Sequence, residues 1–154
     1  MADVFDISRL ILDKVGYVST MKLQKLAFYS QALSLVETGK PLFHEQFQAW
    51  VNGPVCYELF KSHRGKYIVG PGELGASIPG AVDSYGQTVV DRVVKILGDR
   101  SGQELSALTH AEKPWSDARV GCGEQDRCDT VISTEAIRSY YSSHLCSNPL
   151  FVAA

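Results

Sequence analysis

Residues 19–37 read STMKLQKLAFYSQALSLVE. Ser19 and Thr20 are residue types that cap a helix by accepting its first free N–H groups. The run TGKP at 38–41 supplies a glycine stop with a proline just beyond it. On a helical wheel Leu23, Leu26, Ala27, Ser30 and Ser34 share one side. Met21, Phe28, Ala32, Leu35 and Val36 lie roughly opposite. A helix with large apolar residues on two sides is normally covered on both. The segment is therefore predicted to be the central helix, with the remaining chain wrapped around it.

Outward from it, Val4, Ile7, Leu10, Ile11 and Val15 repeat with helical period, and Gly16 ends that first helix. Residues 46–51 alternate imperfectly and predict a short strand. The turn at Asn52, Gly53 and Pro54 is expected to put Pro54 at the first position of a helix over 55–63. Residues 64–83 are rich in glycine and proline and predict a surface loop, with a short strand at 66–69. Helices follow over 84–98, from the Ser101/Glu104 capping box onward, and from Pro114 toward Val120. A polar loop at 121–130 leads to a short strand at Val131–Ile132. A last helix capped by Ser133 follows, ending at Ser147, Asn148 and Pro149. The expectation is a mainly α (α+β) fold: one domain over 1–154, with about six helices and a few short strands.

The whole chain bounds its partners. It has 154 residues, 45% hydrophobic and 21% charged, which suits one folded domain rather than a disordered segment. Its formal net charge is −2 and no dense Lys/Arg block occurs, so strong nucleic-acid binding is not expected. The start MADVFD lacks the basic and apolar pattern of a signal peptide. No stretch approaches the roughly 18 apolar residues of a membrane span. A cytoplasmic location and no membrane partner are therefore expected. Cys56, Cys122, Cys128 and Cys146 are expected to be thiols there. Cys122 and Cys128 stand further apart than the roughly two to four intervening residues of a zinc knuckle, so neither a metal nor a cofactor is assigned.

Catalytic constellations are sparse. Cys56 lies close to a predicted helix start and could pair with His110 or His144, but a packed core cysteine is the plainer reading. The run GPGELG at 70–75 imitates a dinucleotide loop without a helix after it. Carboxylates are scattered, and no Glu/Asp pair shares a helix face with a histidine. No catalytic residue is assigned, and the chain is read as a binding protein rather than an enzyme. The central helix offers more. Lys22, Lys25 and Tyr29 form one stripe, and Gln24 and Gln31 form another. Two readings stand: long side chains lying along a buried helix, or part of a recognition surface. Trp50, Tyr57, Trp115 and Arg119 join them as partner-binding candidates, since Trp, Tyr and Arg are enriched where interfaces are anchored.

Taken together these stretches resemble a known family. LQKL at 23–26, FYSQ at 28–31, TGKPLF at 38–43, FQAWVNGPV at 47–55 and Tyr57 match, in order and spacing, the SocA-like antitoxin or Panacea domain, found also in phage-associated proteins. LSALTH at 105–110, PW at 114–115, AR at 118–119, Ile132 and the pair Tyr140–Tyr141 continue the likeness across most of the chain. The resemblance implies a cognate protein toxin as partner, with the ClpXP protease as a second partner in an adaptor role. The alternatives are a phage-associated regulatory or structural interaction protein, or an enzyme using Cys56 or the Thr109–His110 pair.

Overall fold

Helix α1 (Val4–Val15) starts on Asp3, whose side chain accepts from the Asp6 amide while Asp6 accepts from the Asp3 amide. This reciprocal cap satisfies two of the amides that every helix start leaves free. A two-residue strand, β1 (Val18–Ser19), then runs directly into α2 (Thr20–Thr38), which Ser19 caps by accepting from the Lys22 amide. The computed structural model of the chain describes residues 1–152. In it α2 is the central helix: every side chain from Leu23 to Leu35 is buried. Gly39 ends the helix at φ 75°, a left-handed position that glycine takes without steric cost.

Around α2 the chain adds β2 (Phe47–Trp50), β3 (Gly53–Cys56), α3 (Tyr57–His63), β4 (Ile68–Val69), α4 (Ser84–Leu97) and α5 (Gly102–His110). It continues with α6 (Lys113–Ala118), β5 (Val131–Ile132), α7 (Thr134–Tyr141) and α8 (Pro149–Val152). Helices α1, α4, α5 and α7 and strand β3 all pack on α2. One sheet has the order β3-β2-β5 and is antiparallel throughout, with Phe47 opposite Cys56 and Trp50 opposite Gly53. The other pairs β1 with β4 and anchors the long loop that leads to α4. Phe28 sits at the centre, fully buried, edge-on to Tyr29, Phe47 and Tyr141. Truncating such a ring to alanine typically costs about 3–5 kcal/mol.

The α+β class and the central role of α2 agree with the sequence reading. Four local features differ. Pro54 does not open a helix; it lies in β3 opposite Ala49, and α3 begins three residues later. Strand β3 is an edge strand, where a residue without N–H is tolerated. Strand β1 has no period to betray it, being two residues long. The last long helix stops at Tyr141, because the Ser142 and Ser143 hydroxyls bond the Arg138 and Tyr140 carbonyls; the short α8 follows separately. That split helps to bring the helices to eight among the described residues, against about six expected. Finally, Cys122 and Cys128, expected as thiols, are joined as a disulfide with Cα atoms 6.0 Å apart. Among the described residues no helix is long and apolar enough to cross a membrane.

Candidate functional site

The polar side chains of α2 act as fasteners. The Gln24 carboxamide accepts from the Cys56 amide at 2.8 Å and donates to the Cys56 carbonyl at 3.2 Å, as a neighbouring strand would. Its nitrogen also lies 3.0 Å from His63 Nε2. Two turns on, Gln31 repeats the pattern, accepting from the Leu42 amide and donating to the Phe43 carbonyl, both at 2.8 Å. Lys22 donates to the Gly98 carbonyl at the end of α4, where the helix dipole favours a cation. Lys25 donates to the Pro54 carbonyl at 3.3 Å. The recognition-stripe reading is thereby corrected for four of its five members. Gln24, Lys25, Tyr29 and Gln31 are each at most 2% exposed, because α2 is covered on every side.

Tyr29 belongs to a buried cluster that the sequence reading missed. The Glu112 carboxylate accepts from the hydroxyls of Tyr29 and Tyr141 on one oxygen, both at 2.6 Å, and from Asn148 on the other at 2.8 Å. Burial pushes the Glu112 carboxyl above its ordinary range, while the three hydrogen bonds pull it back. Burial and the neighbouring carboxylate hold both phenols well above theirs. One acid thus ties α2, the start of α6, α7 and the C-terminal turn together. The only sequence hint was Pro114, which marks Glu112 as the residue just ahead of a helix.

Arg119 is also internal. It donates to the Ala49 carbonyl at 2.8 Å and to the Gly123 and Asp126 carbonyls at 2.9 and 2.7 Å. It therefore pins the 121–130 loop against β2, a positioning role rather than a surface contact.

Trp50, Tyr57 and Trp115 do reach the surface, each half-buried. The Trp115 ring nitrogen donates to the Trp50 carbonyl at 2.7 Å, and His110 stacks flat on Trp115 at 3.8 Å. Phe60 meets the Trp50 ring edge-on at 4.8 Å and lies 6.2 Å from Tyr57. Cations cover these rings: Lys61 over Tyr57, Arg64 over Phe60 and Arg127 over Trp50, at 5.4, 5.3 and 5.9 Å. Trp50, Phe60, Val55 and Met21 wall a cleft of about 550 Å³, with Gln24 and Lys25 in its lining. Phe60, Arg64 and Arg127 were not legible as site residues. Arg127 arrives on a polar loop some 70 residues from α3's partner strand, carried there by the fold alone.

Gly53 sits tightly against the buried Lys25 and Thr109 side chains. It stands at φ 115°, and a Cβ there would fall 2.5 Å from Lys25 Cε and 2.8 Å from Thr109 Oγ1. Burial, with no carboxylate at hand, brings the Lys25 ammonium down from 10.5 to about 7. Burial lowers His63 and His110 as well, and the Lys25 charge adds to both shifts. Cys56 makes a poor nucleophile: it is fully buried, and burial pushes its thiol up to about 12, so it stays protonated near neutral pH. His110 is stacked on Trp115 rather than placed beside a nucleophile.

Comparison with known proteins adds the family. A family model described as antitoxin SocA-like, Panacea domain, matches residues 23–116, from the first buried turn of α2 into α6. Among curated proteins, Antitoxin SocA of Caulobacter vibrioides (strain NA1000 / CB15N) is 30% identical over 152 residues, covering 84% of this chain and 80% of that protein. No solved structure gives a significant match. The matched span holds α2 with its glutamine fasteners, the β2–β3 hairpin and both aromatic walls of the cleft, and on these grounds the chain belongs to the SocA-like antitoxin family.

Proposed function

We propose that this chain is an antitoxin that neutralises a cognate protein toxin by binding it, and that the contact face is the aromatic rim of the cleft. Trp50, Tyr57, Phe60 and Trp115 present ring surface at low conformational cost, and their guanidinium and ammonium neighbours give that surface polarity and direction. This aromatic–cationic rim is the observation that carries the reading. The internal fastening of Gln24, Lys25, Tyr29, Gln31 and Arg119 supports it indirectly, since a rigid frame lowers the ordering cost of binding. The role is binding and not catalysis.

The test is co-expression with the product of the neighbouring gene. That product is expected to be toxic alone, harmless beside this chain, and recovered with it as a stable complex. A harmless product, or no complex, overturns the reading. The adaptor role that the resemblance implies, delivery of the toxin to ClpXP, is checked by toxin half-life. A half-life that shortens with this chain only when ClpX is present supports delivery. An unchanged half-life with toxicity still suppressed means direct blocking.

A further inference from the structure

The charge inside the cleft is one-sided. Its lining includes Lys25, Arg64, Arg127 and His63 but not one Asp or Glu, although the chain as a whole is net negative. Among the described residues the ion pairs are Asp6 with Arg9, Lys14 with Asp91 and Glu37 with Arg92; none involves a cleft cation. Arg64 and Arg127 are exposed, and each lies over an aromatic ring. A guanidinium so placed keeps its N–H edge available for a carboxylate. Lys25 is also in the lining, but it is 1% exposed and donates to the Pro54 carbonyl, so it serves the frame. Next to these charges stand the apolar walls of Trp50, Phe60 and Val55.

From this we infer that the cleft is the seat of an acidic segment of the partner toxin, one presenting an Asp or Glu side chain beside an apolar one. The carboxylate pairs with the exposed guanidinium groups of Arg64 and Arg127, and the apolar neighbour lies against Trp50 and Phe60. Charge complementarity selects this occupant: a basic segment meets only like charge there, and a purely apolar one leaves two guanidinium groups unpaired as water is expelled. The inference rests on the toxin-binding reading and narrows it to one cleft and one chemistry.

The experiment uses the complex of this chain with the neighbouring gene's product. Arg64→Glu and Arg127→Glu are compared with Lys95→Glu, which reverses an exposed cation on α4 outside the cleft. Both arginines are exposed, and an unchanged melting temperature confirms that their variants fold. Each cleft variant is expected to weaken binding about tenfold or more, and Lys95→Glu to leave it unchanged. Reversing one acidic residue of the toxin to lysine should restore affinity for a cleft variant. If both cleft variants bind as tightly as the parent chain, this inference is overturned while toxin binding stands. If the parent chain itself forms no complex, the broader reading is overturned with it.

Discussion

Lys25 holds its ammonium at 1% exposure against one carbonyl, and that placement should be visible in the pH dependence of stability. Its folded-state pKa lies near 7 and its unfolded value near 10.5. Between the two, the unfolded chain binds one proton more than the folded one. Stability therefore rises with pH across that window, by up to about 1.4 kcal/mol per unit, and falls as pH drops toward 7. The charged groups facing Lys25 are His63 on α3 and His110 on α5, both already lowered, so they are largely neutral through the window. Urea denaturation from pH 7.5 to 9.5 should give a rising stability for the parent chain and a flatter profile for Lys25→Met. Equal slopes would mean that Lys25 keeps its proton in the fold. Glu112 makes the opposite kind of contribution, through acceptance rather than charge. Glu112→Ala strands two phenol hydroxyls and one amide, and should cost on the order of 3–5 kcal/mol. Tyr29→Phe removes one of those donors and should cost about 1–2 kcal/mol. Thermal unfolding of the two variants checks the ranking.

The β2–β3 hairpin is where local sequence rules and tertiary packing part company. Read locally, Gly53 and Pro54 announce a turn and a helix start. In the fold they form an edge strand, because Gln24 reaches over from α2 and supplies both hydrogen bonds that Cys56 needs. Gly53→Ala should therefore harm more than a surface glycine change. The φ of 115° costs about 1–3 kcal/mol for a residue with a Cβ, and the contact with Lys25 and Thr109 adds to it. The substitution is expected to lower the unfolding midpoint and to raise hydrogen exchange in β2 and β3. A variant with the parent's stability would show that the hairpin can shift as a unit. The helices were legible for the opposite reason. Periods of 3.6 in α1 and α4, and the reciprocal cap of Ser101 with Glu104 on α5, depend only on near neighbours. Wherever a side chain's partner sits dozens of residues away, as Glu112 does from Tyr29 or Arg127 from Trp50, no window of sequence holds both.

At the scale of the molecule, α2 divides the candidate residues into two groups with different jobs. Gln24, Lys25, Tyr29 and Gln31 fasten the frame from inside, and Arg119 fastens the 121–130 loop. Trp50, Phe60, Arg64 and Arg127 line the cleft, with Tyr57 beside Phe60 and Trp115 bonded to the Trp50 carbonyl, and these are the residues proposed as the contact face. The sequence pattern identified α2 correctly as the organising element, yet the polar residues that make it recognisable point inward and belong to the first group. The division predicts that stability and toxin binding separate by mutation. Tyr57→Ala removes a half-buried ring whose neighbours are Phe60, stacked at 6.2 Å, Trp50 at 6.5 Å and the Lys61 ammonium over its face. It should weaken the toxin complex by about 1–3 kcal/mol, as interface aromatics do, with under about 1 kcal/mol lost in stability. Gln31→Ala should do the reverse. It leaves the Leu42 amide and Phe43 carbonyl unpaired inside the protein and costs about 2–3 kcal/mol of stability. The fraction of that variant still folded at low temperature should bind the toxin with the parent's affinity. Titration calorimetry beside thermal unfolding measures both quantities on the same samples. A Tyr57→Ala chain that loses stability and affinity in proportion would place the ring in the frame, and the contact face would then have to be sought away from this rim.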